Sequence, residues 1–503
     1  MPRPLGGKGW LVSLLLGVDI GTSSTKGVLT TPDGTVVATA VREHAVSRPH
    51  PGWAEHDARE VWWEGFAAVT RELLPQAGGE PVAAVGVSGI GPCALPATAA
   101  GEPLRPAILY GVDTRAVAEI EELTARYGAE AIVSRGGSPL TTQAVGPKLA
   151  WLRRHEPDVW ERTGRLFMAS SYLVHELTGV YVLDHHSASQ CSPLYDSREH
   201  AWIGEWAREI APGLDLPPLA WPGEVAGTVT EAAAERTGLA VGTPVVAGTI
   251  DAWAEAVSVG VTEPGDVMVM YGTTMFLIEV LASRRTYPGL WGTVGVTPGT
   301  YDLAAGMATS GAVTDWLRQL TGAAYEELTE EARAAGYGAG GLIMLPYFAG
   351  ERTPLFDPDA RGLVLGLTLG HGRGHLYRAA LEGTAFGVRH NLEAMRSAGG
   401  EARRLVAVGG GTKGGLWTQI VSDVLGRPQV IPSVTIGACY GDALLAARAA
   451  GLSDGEGWNP PAGTVEPDPA AGEIYAELYR LYRDLYPATR DAAHALAAFS
   501  REP

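Results

Sequence analysis

The chain opens on a run of unbroken apolar positions. Leu14 to Val18 has the pattern of a strand buried on both faces, and Asp19 ends it. Gly21-Thr22-Ser23-Ser24 then supplies small residues with hydroxyl donors, Gly27-Val28-Leu29-Thr30 leads away as a second strand, and Pro32-Asp33-Gly34 is a reverse turn. The stretch predicts a hairpin. Its glycine-hydroxyl turn lets backbone approach a ligand closely, which makes it a candidate phosphate clamp, although an ordinary sheet edge has the same pattern. It is not a Walker A loop, because Gly21 to Lys26 lacks the second glycine and β-branched residues follow.

Further along, Asp57 predicts the cap of a helix to about Leu74, with Val61, Trp62, Phe66, Val69 and Leu73 at helical spacing. Residues 82–90, VAAVGVSGI, predict another buried strand, ended by Gly89, Gly91 and Pro92. The loop at its C-terminal end is where open α/β sheets bind ligands. Leu109 to Arg115 places Asp113 and Arg115 at the start of a helix through Glu122; the pair either holds sugar hydroxyls or caps and pairs on the surface, and residue types alone favour the surface. Residues 145–210 read as helix-rich. A strand from Val245 to Ala247 then turns through Gly248 and Thr249 into a helix opening at Asp251. That aspartate is either a helix N-cap or a general base at a strand's C-terminal end.

The second half repeats the opening grammar. DVMVMYGTTMFLIEV at 266–280 is again apolar strand, Gly-Thr-Thr turn and apolar strand, so Gly272-Thr273-Thr274 echoes Gly21-Thr22-Ser23 half a chain later. The echo predicts two related α/β domains whose hairpins grip phosphates from both sides of one cleft. Trp291 to Val296 and Tyr301 to Gly306 read as paired strands, and Thr309-Ser310-Gly311 opens a helix through Leu320. Arg403 to Val408, Gly409-Gly410-Gly411 and Leu416 to Leu425 read as strand, glycine turn and helix, an anion-binding geometry. The Gly409, Gly411, Gly414 spacing also fits a dinucleotide fingerprint, but the next strand, Gln429 to Ile431, ends in Pro432 and Ser433 rather than an acid. This disfavours an NAD-linked oxidoreductase and leaves a nucleotide. Gly441 to Ala447 reads as a small-residue core helix.

Composition narrows the partners. The 503 residues are too many for one core, so two large domains are expected. With 56 acidic against 38 basic residues and a net charge of −18, neither a nucleic acid nor an anionic membrane is the expected main partner. Cys93, Cys191 and Cys439 are scattered and odd in number, which suggests no disulfide framework and a reducing compartment, the cytoplasm. The His185-His186 pair and His44, His50 and His56 lack metal-site spacing and read as structural. Residues 1–10 are expected as a disordered leader: the apolar run after Arg3 and Lys8 has no cleavage site and is too short to span a membrane.

Eight ordered stretches resemble the FGGY carbohydrate kinases, within the sugar kinase, Hsp70 and actin superfamily, and most closely the xylulokinase-like members. They are GVDIGTSSTKGVL at 17–29, RPHPGWAEHDAREVWW at 48–63, LRPAILYGVDTRA at 104–116 and GPKLAWLRRHEP at 146–157, followed by VVAGTIDAWAEAVSVG at 245–260, VMYGTTM at 269–275, LPYFAGERTPLFDPDARGLVLGL at 345–367 and GGGTKGGLWTQIVSDVLG at 409–426. The resemblance implies an α/β fold of two actin-like, ribonuclease H-like domains, with mixed sheets flanked by helices and a cleft between them. Residues 11–260 are then a sugar-binding N-terminal domain, 261–490 an ATP-binding C-terminal domain and 491–503 a tail. The implied reaction is ATP-dependent phosphorylation of a ketose such as a pentulose, or of a related polyol, at a primary hydroxyl. Asp251 matches the family's general base and Asp19 the acid that orients Mg²⁺, usually through water. Gly21, Thr22, Ser23, Ser24 and Lys26, with Gly272, Thr273 and Thr274, match the two phosphate loops. Gly311, Gly409, Gly410 and Gly411 match the adenosine side. Asp113 becomes a sugar-side residue, with Arg115 a weaker candidate.

The sugar loop departs from the family. Gly91-Pro92-Cys93 stands where xylulokinases carry Met-His-Gly and glycerol kinases Arg-Glu, which points to a changed pocket and away from D-xylulose itself. The competing expectation, from a different class, is a non-catalytic actin-like ATP module acting through assembly or partners. A homodimer is the candidate assembly.

Overall fold

The computed structural model describes residues 13–499, so the expected leader at 1–10 lies outside the described residues. Two compact units emerge. The first comprises the chain through Gly260 together with Thr293–Gly299 and Ile436–Asn459; the second comprises Val261–Gly292, Thr300–Thr435 and the chain from Pro460. The helix Ala438–Ala449, beyond the expected boundary at 260, packs on the sheet of the first unit. Small residues make that packing close. A Cβ on Gly86 would lie 2.0 Å from the Asp442 carbonyl oxygen, and one on Gly441 would lie 1.9 Å from that of Ala254.

The first unit is built on a seven-stranded mixed sheet. Its order is Val225–Thr228, Pro244–Val246, Val82–Gly89, Leu14–Ile20, Ser24–Thr30 and Val36–Glu43, with Thr249–Ile250 also paired to Val82–Gly89. Leu14–Ile20 and Ser24–Thr30 form the predicted antiparallel hairpin, and Val82–Gly89 runs parallel to the first of them. Every residue of Leu14–Ile20 is buried, as its unbroken apolar pattern requires. Asp57 does cap a helical segment: its carboxylate accepts from the Arg59 and Glu60 amides, and Ala58–Trp63 runs on into Glu64–Leu73. Trp62, Phe66, Val69 and Leu73 face the core from it.

The second unit repeats the pattern. Its sheet runs Trp291–Val294, Tyr301–Met307, Met275–Leu281, Asp266–Tyr271, Arg404–Val408, Gln429–Pro432 and Pro461–Val465. Asp266–Tyr271 and Met275–Leu281 form an antiparallel hairpin, Arg404–Val408 runs parallel to the first, Gln429–Pro432 runs parallel to that, and Pro461–Val465 closes antiparallel. The first unit has the same succession from its hairpin through Val82–Gly89 and Pro244–Val246 to Val225–Thr228. The echo seen in two glycine turns is thus a duplicated sheet topology. The last helix, Gly472–Phe499, continues through the expected tail boundary at 491. His494 holds it there, with Nε2 2.7 Å from Asp357 Oδ2. Among the described residues no helix is long and apolar enough to cross a membrane.

Candidate active site

In the first unit the hairpin turn is closed by the Gly21 amide donating to the Ser24 carbonyl at 2.9 Å. Thr22 and Ser23 lie outside the strand pairing on either side. The second unit repeats the closure one residue tighter, Gly272 N–H to the Thr274 carbonyl at 3.1 Å. That turn also anchors the helix Gly311–Thr321: the Gly311 amide donates to the Gly272 carbonyl at 3.0 Å and the Ala312 amide to that of Thr273 at 3.0 Å. Gly311 is required there, because a Cβ would lie 2.5 Å from the Gly272 carbonyl oxygen. In the same unit Gly409 has φ +92°, and a Cβ on it would lie 2.6 Å from the Tyr271 carbonyl oxygen. Gly410 faces open space and Gly411 lies against the Trp417 ring. Glycine at these positions is thus a steric requirement at Gly311 and Gly409.

Asp251 is the first residue of the helix Asp251–Ser258. The N-cap position belongs to Ile250, and the Asp251 carboxylate accepts only from the adjacent Ala252 amide, at 2.8 Å. Asp251 thus satisfies the second helical amide from the first helical position rather than from the N-cap position. Burial pushes the Asp251 carboxyl up to about 6, against the pull of the Ala252 hydrogen bond and Lys26. Two more carboxylates share its surroundings. Asp19, at the end of the first strand, is raised well above the usual range by burial and then by Asp251. Glu255, one helical turn after Asp251 and on the same face, is pushed up to about 7 by burial, with Asp251 adding to the shift and Lys26 opposing it. Lys26 is the cation that acts on all three. A fourth acid, Asp442, reaches the same region through Ser88, whose Oγ lies 2.7 Å from Asp442 Oδ2 and 3.3 Å from Asp19 Oδ1.

Glu255 and Asp442 were not singled out by the sequence. Glu255 carries a usable signal, an acid four residues after Asp251 in a helical pattern. The signal for Asp442 is a single carboxylate inside the small-residue helix, which the core reading of Gly441 to Ala447 passed over.

In the loop Gly91-Pro92-Cys93, Pro92 and Cys93 are buried and Gly91 is partly exposed. A Cβ on Gly91 would lie 2.7 Å from Ile250 Cγ1, directly before Asp251. The Cys93 thiol lies 3.2 Å from the Ile90 carbonyl and is pushed up to about 12 by burial, so it stays a neutral small side chain. Beneath it Lys148 is buried, donating to the Thr142 carbonyl at 2.6 Å, and burial lowers it to about 8. Lys148 feels both Cys93 and Asp113.

Asp113 and Arg115 are not a surface pair. Their side chains are 0% exposed, and Asp113 accepts from the Ala54 amide at 2.7 Å and from the Arg115 fork at 2.7–3.0 Å. Arg115 also pairs with Glu55 at 2.8 Å, and its guanidinium lies 3.8 Å from the Trp53 ring centre. The helix that follows is Val117–Tyr127, so neither residue is in it. His186 is buried, its Nδ1 2.7 Å from the Val294 carbonyl, and His56 Nδ1 accepts from Trp62 Nε1 at 3.2 Å.

Among the described residues no group of three or more His, Cys, Asp or Glu side chains has metal-binding geometry. The carboxylates Asp19, Asp251 and Glu255 nevertheless crowd around one lysine, and such a surplus of negative charge suits a divalent cation whose other ligands are phosphate oxygens and water.

Comparison with known proteins agrees with this geometry. The family model described as "FGGY family of carbohydrate kinases, N-terminal domain" matches residues 14–258, and the corresponding C-terminal domain matches residues 267–450. The chain is 30% identical over 444 residues to a xylulose kinase of Escherichia coli (strain K12), covering 88% of this chain and 90% of that one. It is 33% identical over 460 residues to a glycerol kinase of Nocardia farcinica, covering 87% and 90%. The crystal structure of xylulose kinase from Rhodospirillum rubrum superposes with a TM-score of 0.88 at 35% identity, over 96% of this chain and 100% of that one.

Proposed function

The chain belongs to the FGGY family of carbohydrate kinases, two-domain actin-like enzymes that phosphorylate a sugar at the expense of ATP, and from that premise we propose that Asp251 is its general base. The observation that carries this reading is the position of Asp251. It opens a helix directly after the strand Thr249–Ile250, is not the N-cap, and has a carboxyl raised by burial to about 6, so it is ionised at neutral pH yet basic enough to take a hydroxyl proton. A non-catalytic ATP module is not favoured by these matches.

Phosphoryl transfer depends mainly on positioning and on charge stabilisation. In this proposal the Gly21–Ser24 turn and Lys26 receive the γ-phosphate end, the Gly272–Thr274 turn receives the other phosphates, and Gly311 and Gly409–Gly411 let backbone approach the nucleoside. Asp251 orients the attacking primary hydroxyl and accepts its proton. Asp19 would hold Mg²⁺ through water, and the ion would supply charge neutralisation across the transferring phosphate.

The acceptor proposed is a pentulose or a related polyol, in keeping with relatives named xylulose kinase and glycerol kinase. The Gly91-Pro92-Cys93 loop offers only a neutral thiol beside Asp251, so the sugar is read through backbone and neighbouring side chains there. Asp113 supports that pocket with its carboxylate fully engaged by Ala54 and Arg115. Three unbridged buried cysteines suit a reducing cytoplasm, and a homodimer is the assembly to test by light scattering. The deciding experiment is ADP release by wild type and Asp251→Ala across pentuloses, hexuloses, pentitols and glycerol. One acceptor should dominate, and the variant should lose its stimulation by 10²-fold or more. A variant that keeps sugar-stimulated ADP release near wild type removes Asp251 from the mechanism.

A further inference from the structure

The Ser88 hydroxyl stands between two carboxyl groups, 2.7 Å from Asp442 Oδ2 and 3.3 Å from Asp19 Oδ1. It has one hydrogen and can donate to one of them only. If both acids were ionised, one contact would be oxygen against oxygen with no proton between. A hydrogen on one of the two acids makes hydrogen bonds of both contacts, and the surroundings say which acid is the better carrier. Asp442 is 0% exposed, sealed by the close approach of its helix at Gly86 and Gly441, and its Oδ1 is buried without a hydrogen-bond partner. The charges that act on it most strongly are those of Asp19 and Asp251, both negative. Asp19 keeps a little exposure and has Lys26 directly across the hairpin. A buried carboxylate without a cation is far costlier than a neutral acid.

We propose that Asp442 is a neutral carboxylic acid that positions Asp19: its O–H donates to Ser88 Oγ, and the Ser88 hydroxyl donates in turn to Asp19 Oδ1. The relay fixes the rotamer of Asp19 and directs its charge outward, toward the metal. Asp442 touches no reacting atom and acts only through Ser88. The proposal rests on the reading of Asp19 as the metal-side acid, and the variants below separate the two.

Infrared difference spectra of the nucleotide-free protein test the protonation directly. Wild type minus Asp442→Asn should contain the carbonyl stretch of a buried neutral carboxyl; carboxylate bands alone overturn the proposal. The Mg²⁺ concentration giving half-maximal rate tests the positioning. Ser88→Ala, which removes one oxygen, and Asp442→Ala should each raise it about tenfold with the sugar KM unchanged. The double variant should be no worse than either single one, and Asp442→Asn, still neutral and still a donor, should stay near wild type. Should Asp442→Ala fail to fold, Ser88→Ala and Asp442→Asn carry the test. If Asp19→Asn raises the Mg²⁺ requirement while Ser88→Ala does not, the relay is refuted. If Asp19→Asn leaves it unchanged, the metal reading of Asp19 fails, and with it the positioning role of Asp442.

Discussion

Lys26 stands directly opposite Asp19 in the antiparallel register of the first hairpin, so the two side chains leave the same face of the sheet. The pairing places one ammonium where Asp19, Asp251 and Glu255 all feel it. Replacing it with a neutral side chain of similar length makes ionisation of Asp251 harder. On the proposal that Asp251 is the base, the acid limb of the kcat/KM profile should lie near 6 in wild type and move to higher pH by about one unit in Lys26→Met. The KM for ATP should rise about tenfold with loss of the proposed phosphate contact. An acid limb that does not move would remove Lys26 from the electrostatics of the base.

Glu255 makes the opposite statement about stability. Its folded-state value, about 7, lies above the ordinary 4.5, so between those values the native state holds more protons than the unfolded chain. Its contribution is fully present below about 4.5 and is lost as pH rises through about 7. Glu255→Gln, neutral throughout, should match wild type at pH 4 and exceed it at pH 8 by on the order of 1–3 kcal/mol, a rise of a few degrees in Tm. Scans without nucleotide or Mg²⁺ at the two pH values check this. Equal gains at both would mean that packing, and not the charge, is responsible.

What the sequence disclosed about this molecule followed the reach of its signals. The two glycine-hydroxyl turns were legible because strand, turn and strand are contiguous, and their repetition revealed the duplicated sheet. For Asp113 and Arg115 residue types alone favour the surface, because what buries them, Trp53 and Glu55 on one side and Trp151 on the other, lies some distance away in the chain. Asp442 was hidden for the same reason. Its meaning depends on Ser88, and the helix that carries it returns to the first unit after the chain has crossed most of the second. Asp251 stood between: a cap and a base both place a carboxylate at the start of a helix after a strand, so local pattern is the same for either.

The Arg115 knot yields a stability prediction separable from catalysis. Its guanidinium satisfies Asp113 and Glu55 together and packs on Trp53 at 3.8 Å. Arg115→Ala strands Asp113 without its cation, while Glu55 keeps Arg105, and losing the buried pair costs roughly 3–5 kcal/mol. Arg115→Lys keeps the charge but loses the planar fork and should recover only part of that. Urea unfolding of both variants, alongside ATP affinity by calorimetry, gives the check. Unfolding of the first unit should shift while nucleotide affinity holds. Wild-type stability in Arg115→Ala would show that the buried pairs contribute no net stabilisation.

Gly409 provides the corresponding test on the nucleotide side. Its φ of +92° is strained for any residue with a Cβ, and that atom would sit 2.6 Å from the Tyr271 carbonyl oxygen. Tyr271 is itself fixed, its hydroxyl donating to Gln429 Oε1 at 2.7 Å, so the turn must give way and the strand cannot. Gly409→Ala should therefore displace the Gly409–Gly411 backbone and weaken ADP binding about tenfold, while affinity for the preferred sugar is unchanged. Gly410→Ala is the control, because a Cβ there meets nothing within 4 Å of protein. It leaves the turn intact, so any loss of ADP affinity in Gly410→Ala has to come from contact with the nucleotide itself. Titration of ADP and of the preferred sugar into both variants distinguishes the outcomes. Wild-type ADP affinity in Gly409→Ala would take this turn out of the nucleotide site.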